Sequence, residues 1–387
     1  MPLIDSHRSP SAADDPARWQ SLDVMRGLTV AAMLLVNNPG TWDAVYPPLR
    51  HAAWHGWTPT DLIFPFFLFI VGISTELSLE KRAGHGASDA LLRRRILVRG
   101  GLIVVAGLLL HAFPFYPLTR ITELRIPGVL QRIGVCYAIA GLVAWRRSDR
   151  LVGAVTAALL FGYWALLTLV NPPGVDRPTV DVPDQTIAAF LDRWLLDGHL
   201  WTVTKTWDPE GPLSTLPAIG TTLLGILTAR AVRRAPDPAA RHRWLLLAGT
   251  TALAIGWLWG QVFPINKNLW TSSYVVFTAG AGALALGIAG WLIEARRWIG
   301  WSLPLMTFGR NPLIAFLGSG MMARIIGSLI VIDTAEGPRS LQRLIFDQGF
   351  GSWLPPRAAS LGYAVSFVGV WFLVLRVLEK RGWFLKI

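Results

Sequence analysis

A histidine and a carboxylate of complementary chemistry stand close together early in the chain: His51, in Leu49-Arg50-His51-Ala52-Ala53-Trp54-His55-Gly56-Trp57, and Asp61, in Thr58-Pro59-Thr60-Asp61. An imidazole with a carboxylate partner is held in one tautomer and can accept a proton near neutral pH, as a general base must. Thr58 reads as a helix cap and Pro59 as the first helical position, so Asp61 falls in the first turn, near enough to orient an imidazole. The same spacing fits a plainer arrangement, in which Asp61 supports the helix N-terminus and His51 is a surface residue. Asn37 stands just before Pro39 and Gly40, where a helix must unwind. Its amide could orient a substrate or stabilise an oxyanion, or it could cap the helix end.

Further polar groups lie in or beside apolar runs. Asp23 and Arg26 are three apart and could pair on one helix face, with Arg26 the better placed for an anionic ligand. Arg125, Gln131 and Arg132 occur in Arg-Ile-Pro-Gly-Val-Leu-Gln-Arg. Pro127 should open a helix there, which puts Arg132 roughly five residues, ~7.5 Å, inside it. That depth calls for a buried partner such as Asp61 or Asp208, or else for snorkelling. Asp208 and Glu210, in Trp207-Asp208-Pro209-Glu210-Gly211, could recognise an amine or sugar hydroxyls, or cap the next helix. Metal ligation has little support: the seven His are scattered and the single Cys136 has no partner. There is no phosphate-binding loop or dinucleotide fingerprint in the right context.

The elements that must position these residues are membrane spans. Of 387 residues, 52% are hydrophobic and only 16% charged, against ~25% charged in a typical soluble domain. Mean hydropathy is +0.44. Apolar runs long enough to cross a hydrocarbon core fall near 22–38, 60–80, 96–114, 127–145, 151–170, 213–231, 244–263, 271–293, 303–332 and 358–378. The fold class expected is therefore an all-α polytopic membrane protein of about ten transmembrane helices. The ninth run contains Gly309-Arg310-Asn311-Pro312 and should be a half-helix, a break and a span. Basic clusters such as Arg93–Arg95 and Arg233–Arg243 fall in alternate loops, which puts both termini in the cytoplasm. The same distribution accounts for the net charge of +12 without nucleic acid as a partner. Nineteen Trp suit the headgroup level of a lipid bilayer. Cys136 reads as a small core residue.

Asp5, Asp14 and Asp15, with no small-residue cleavage site, make the first run a retained span rather than a signal peptide. Residues 1–20 read as a flexible cytoplasmic tail and 21–387 as a single transmembrane domain. Residues 171–212 form a long external loop with an amphipathic helix over 185–197. Residues 264–270 are a compact polar link on the same side.

The motifs resemble the heparan-α-glucosaminide N-acetyltransferase family, including its shorter bacterial members. The strings that carry the resemblance are Ser21-Leu22-Asp23-Val24-Met25-Arg26-Gly27, Val36-Asn37-Asn38, His51-Ala52-Ala53-Trp54-His55-Gly56 and Thr60-Asp61-Leu62-Ile63-Phe64-Pro65. Further on come Arg125-Ile126-Pro127-Gly128-Val129-Leu130-Gln131-Arg132, Asp208-Pro209-Glu210-Gly211, Asn266-Lys267-Asn268-Leu269-Trp270 and Phe384-Leu385-Lys386-Ile387. The resemblance implies acetyl transfer from cytosolic acetyl-CoA to the amine of a glucosamine unit across a membrane, with no metal. It implies that His51 is the active-site histidine, Asn37 its companion and Asp61 the orienter. The acceptor contacts would be Trp54, Asp208, Glu210, Asn266, Lys267 and Asn268, and the donor contacts Arg26, Arg99, Gln131, Arg132 and Lys386. His55 departs from the Asn expected at its position. The animal enzyme carries a large lumenal domain before the first span, which this sequence does not show, so a small amino sugar is expected rather than heparan sulfate. The setting expected is the bacterial inner membrane, with His51 near the periplasmic face and a homodimer left open. Two alternatives stand beside this reading: an amino-sugar transporter, and a membrane O-acyltransferase acting on a polysaccharide.

Overall fold

The computed structural model describes residues 19–117, 119–335 and 337–385. Along the chain run α1 (Gln20–Asn37), α2 (Ile63–Gly84), α3 (Asp89–Ala112), α4 (Thr119–Thr122), α5 (Val129–Ala144), α6 (Asp149–Leu169) and α7 (Ile187–Leu196). They are followed by α8 (Pro212–Arg233), α9 (Pro238–Trp259), α10 (Ser272–Gly290), α11 (Leu303–Arg310) and α12 (Pro312–Arg324). A hairpin of β1 (Val331–Thr334) and β2 (Gly337–Ser340) then leads to α13 (Leu341–Phe346) and α14 (Pro356–Lys380). The expected tail over 1–20 falls almost wholly outside the described residues.

The architecture is helical, as the apolar runs require. Among the described residues seven helices are long and apolar enough to cross a membrane, beginning with Pro59–Gly84 and ending with Pro356–Lys380. Three elements expected as spans fall short of that measure. The α1 helix carries Asp23 and Arg26, α5 has only 16 residues, and α9 carries Arg241-His242-Arg243 in its first two turns. The ninth run is broken as expected, since α11 stops at Arg310 and α12 restarts at Pro312. The hairpin that follows is a departure from an all-helical expectation. It pairs Val331 with Ser340 and Thr334 with Gly337, whose φ of 102° needs a glycine at the turn.

The chain divides into two compact units. One comprises residues up to His51, Thr58–Ile63 and Leu292 onward. Within it α1 and α11 touch backbone to backbone. A Cβ on Gly27 would lie 1.7 Å from the Leu305 carbonyl oxygen, and one on Gly309 would lie 2.1 Å from that of Asp23. The loop after α1 is tied to α14: Gly40 donates its N–H to the Ser360 carbonyl (3.2 Å), and the Ser360 hydroxyl donates to that of Thr41 (2.9 Å). Those ties fix the start of the segment that carries His51.

The other unit comprises Ala52–Trp57 and Phe64–Trp291. Its helices α2 and α8 meet at Gly72 and Gly225, where an added Cβ would lie 2.0 Å from the Thr222 carbonyl oxygen or 2.2 Å from that of Phe69. Arg230, near the end of α8, donates to Glu76 on α2 (2.7 and 3.1 Å) and to the Ala144 carbonyl that closes α5 (2.8 Å). The Arg230 guanidinium thus ties α2, α5 and α8 together. A separate apolar cluster of Tyr163, Leu167, Ala188, Leu213, Phe263 and Leu269 packs α7 against α6 and α8, with Trp54 on its edge.

Candidate functional site

The first unit holds the histidine–carboxylate pair. Pro59–Leu62 forms one turn of 3₁₀ helix that opens on Thr58, as the capping signature predicts. The Asp61 carboxylate is 1% exposed and its two oxygens do different work. Oδ2 accepts the Thr58 backbone N–H at 2.9 Å, and Oδ1 lies 2.6 Å from Nδ1 of His51. Asp61 therefore caps this turn and contacts the His51 imidazole at once. Thr58 closes the loop by donating its hydroxyl to the Arg50 carbonyl, and Thr60 donates to that of Pro48 (2.6 and 3.1 Å). The His51 side chain remains 45% exposed. With Nδ1–H donating to a buried carboxylate, Nε2 is the nitrogen suited to take a proton.

Asn37 ends α1 with an exposed side chain. The capping role falls to its neighbour: Asn38 donates its side-chain amide to the Leu34 carbonyl (2.8 Å). Arg26 pairs with Asp23 at 2.9 Å and also reaches the Gly309 carbonyl (3.4 Å), so the expected helix-face pair is present. Lys386 lies outside the described residues.

In the second unit the polar residues gather around an acidic hub. Arg125 grips Asp208 in a fork, Nε to Oδ2 at 2.8 Å and Nη2 to Oδ1 at 2.6 Å, and Nη2 also reaches Glu210 at 2.6 Å. Asp208 further accepts the backbone N–H groups of Trp201 (3.1 Å) and Glu210 (2.9 Å). A carboxylate offers about four acceptor positions, and Asp208 has four donors on it. Burial disfavours the charge on Arg125, yet Asp208 and Glu210 outweigh it and raise the guanidinium above its ordinary value. Burial would likewise raise Glu210, but Arg125, Arg132 and Lys267 hold its carboxyl below the usual range.

Arg132 is 2% exposed, so it does not snorkel. Its hydrogen bonds go to the Ser214 hydroxyl and the Gly211 carbonyl, and its guanidinium lies 5.1 Å from the Trp270 ring centroid. Arg125, rather than Arg132, takes the Asp208 carboxylate, because Arg132 lies deeper along α5. Gln131, beside it, meets His111 at 3.3 Å. Arg99, on α3, sits 5.0 Å from the Tyr137 ring centroid, a cation–π contact.

The polar link is a tight, self-bonded turn. Asn266 is fully buried, accepts the Leu269 N–H (2.9 Å) and meets His55 at 3.3 Å; His55 meets Asp181 at 2.9 Å. Trp270, also fully buried, adopts φ 53°, a strained backbone for a bulky residue, and its indole N–H donates to Thr221 (3.1 Å). Trp54 donates to the Val180 carbonyl (2.7 Å) and meets Trp207 edge to face with centroids 5.1 Å apart. A recess is lined by Trp54, Trp207, Asp208, Ser214, Asn268 and Asp192.

Asp192 escaped the sequence reading. It lies on α7, the expected amphipathic helix, and is buried together with Ala188 four residues earlier. A carboxylate at i+4 on the apolar face was the available signal. Its Oδ2 accepts the Asp208 N–H at 2.9 Å, while Oδ1 is buried without a hydrogen-bond partner. Burial, reinforced by the nearby Asp208 carboxylate, pushes Asp192 up to about 7 despite the Asp208 N–H, Arg132 and Arg193.

Residues 18–262 match the family model described as "Heparan-alpha-glucosaminide N-acetyltransferase, catalytic". The human heparan-alpha-glucosaminide N-acetyltransferase (Homo sapiens) is 28% identical over 355 residues, covering 78% of this chain and 53% of the human one. The mouse enzyme (Mus musculus) is 27% identical over 369 residues, covering 82% and 55%. The chain spans about half the length of the curated relatives it matches.

Proposed function

The chain belongs to the heparan-alpha-glucosaminide N-acetyltransferase catalytic family, and on that premise we propose that it moves an acetyl group from cytosolic acetyl-CoA to the amine of an amino sugar on the outer side of a membrane. The acceptor is glucosamine or a short glucosamine-bearing saccharide. The setting is a bacterial inner membrane crossed about ten times, with α1, α5 and α9 counted among the spans and both termini inside. The observation that carries this reading is the 2.6 Å contact between His51 and a buried Asp61 whose other oxygen is already engaged.

In the direct route His51 Nε2 removes a proton from the acceptor amine as its nitrogen attacks the thioester carbonyl carbon. The C–N bond forms and the carbonyl oxygen becomes an oxyanion, which the Asn37 amide would stabilise. The intermediate collapses by breaking the C–S bond, and the CoA thiolate leaves with the proton from the imidazolium. In the two-step route Nε2 attacks the thioester carbonyl first and the C–S bond breaks to release the CoA thiolate; the amine then attacks the acetyl carbon, the C–Nε2 bond breaks and the amine proton passes to the regenerated imidazole. Arg26, Arg99, Gln131, Arg132 and Lys386 are kept on the donor side; of these Arg26, Arg99 and Lys386, rather than the buried Arg132, have the cationic groups suited to the phosphates of CoA. Trp54, Asn266, Lys267 and Asn268 remain acceptor-side.

The test is acetylation of glucosamine by purified protein supplied with acetyl-CoA. His51→Ala should lower the rate by about 10²-fold or more. Undiminished product from that variant would sink the assignment. Label retained on His51 in the absence of acceptor would select the two-step route.

A further inference from the structure

Asp208 and Glu210 are the acidic residues that the sequence marks out for the acceptor, yet Asp208 has no acceptor position left and Glu210 is bound to Arg125. Among the described residues of this region, the buried carboxylate oxygen without a hydrogen-bond partner is Oδ1 of Asp192. The side chain is 2% exposed, and it lines the recess with Trp54, Trp207, Asn268 and Ser214. Gly211 lets it sit there, since a Cβ at that position would lie 2.3 Å from Asp192 Oδ1. A buried acceptor without a donor is costly, more so when charged, so such an atom is normally met by a water or a ligand group. The recess has room for about one water-sized group, too small for a sugar ring but right for one substituent. The two indoles beside it, edge to face with each other, give the recess an apolar wall.

We propose that Asp192 is a specificity residue for the acceptor, its Oδ1 accepting a hydrogen bond from one ring hydroxyl of the amino sugar inserted into this recess beside Trp54 and Trp207. The assignment rests on the amino-sugar reading above. It concerns a hydroxyl rather than the amine, because the amine must be free to lose its proton at the reacting centre. Asp192 touches no reacting atom; its effect is on acceptor affinity and on which sugars are accepted.

The experiment compares wild type with Asp192→Asn, in which the side-chain oxygen can still accept the Asp208 N–H and preserve the fold, as unfolding midpoints would verify. Acceptors are glucosamine and its 3-, 4- and 6-deoxy forms, and binding is followed separately by tryptophan fluorescence. Wild type should lose about tenfold or more in KM for one deoxy sugar. In Asp192→Asn the KM for glucosamine should rise by a similar factor at constant kcat, and the penalty for that same deoxy sugar should shrink. An equal penalty in both proteins, or a variant that loses kcat and stability with KM unchanged, would overturn the proposal. Saturable glucosamine binding that Asp192→Asn weakens, without any acetylation by wild type, would uphold Asp192 and remove the transferase reading instead.

Discussion

The His51–Asp61 pair and the Arg125–Asp208–Glu210 hub are both charge-bearing contacts at about 2.6 Å, but they are built in opposite ways. The pair closes within ten residues of sequence and leaves its histidine 45% exposed. The hub joins residues 83 and 85 apart, and its carboxylates are 0% and 7% exposed. The base proposed for the transfer must meet substrate and change protonation, so it needs one fixed nitrogen and one accessible one. A hub that must not change state gains from burial and saturation. Buried ion pairs contribute modest net stability but are costly to break. The pair should therefore be sensitive in rate, and the hub in folding.

The strongest way to break that contrast is Arg125→Met. It strands two buried carboxylates, and the folded state should lose about 3–5 kcal/mol, read as a lower unfolding midpoint in detergent. An unchanged midpoint would show that the hub is not holding the loop. Asp61→Asn should do the reverse. The capping contribution at stake is about 1 kcal/mol, so the midpoint should move little, while kcat falls by about 10²-fold. Parallel losses in rate and stability would erase the distinction between the two regions.

The gentlest test is a pH titration of stability. Asp192 sits at about 7 in the folded protein, above the ~3.9 of an unfolded aspartate. The folded state therefore keeps a proton that the unfolded chain has released. That contribution is complete below pH ~4 and is lost as pH rises through about 7. Glu210 has the opposite sign: held low, it stabilises above pH ~4.3 and its share is lost as pH falls further. Between pH 5 and 7 the wild-type midpoint should decline, and Asp192→Asn should flatten most of that decline. A slope that survives the substitution would refute the assignment.

The sequence revealed what is local. The run expected over 213–231 is α8 at Pro212–Arg233, and the helix expected over 185–197 is α7 at Ile187–Leu196. The break at Asn311 was legible because proline cannot continue a helix and asparagine tolerates the bend. Thr58 and Asp61 could be linked because capping acts over three residues. Which arginine takes Asp208 could not be read, since Arg125 and Arg132 share one motif and differ only in depth. Asp192 was missed because its one signal, an acid four residues after the buried Ala188, is weak: the more apolar Trp194 and Leu195 of the same helix are exposed.

The glycine contacts of α2 with α8, and of α1 with α11, carry a consequence for genetics rather than for chemistry. A Cβ at Gly72, Gly225, Gly27 or Gly309 would meet a backbone oxygen at 1.7–2.2 Å, and backbone cannot rotate aside as a side chain can. A saturation screen for loss of function should therefore return two populations of hits. One clusters at His51 and Asp61 and leaves protein abundance intact. The other falls at these glycines, where even alanine is excluded, and abundance disappears along with activity.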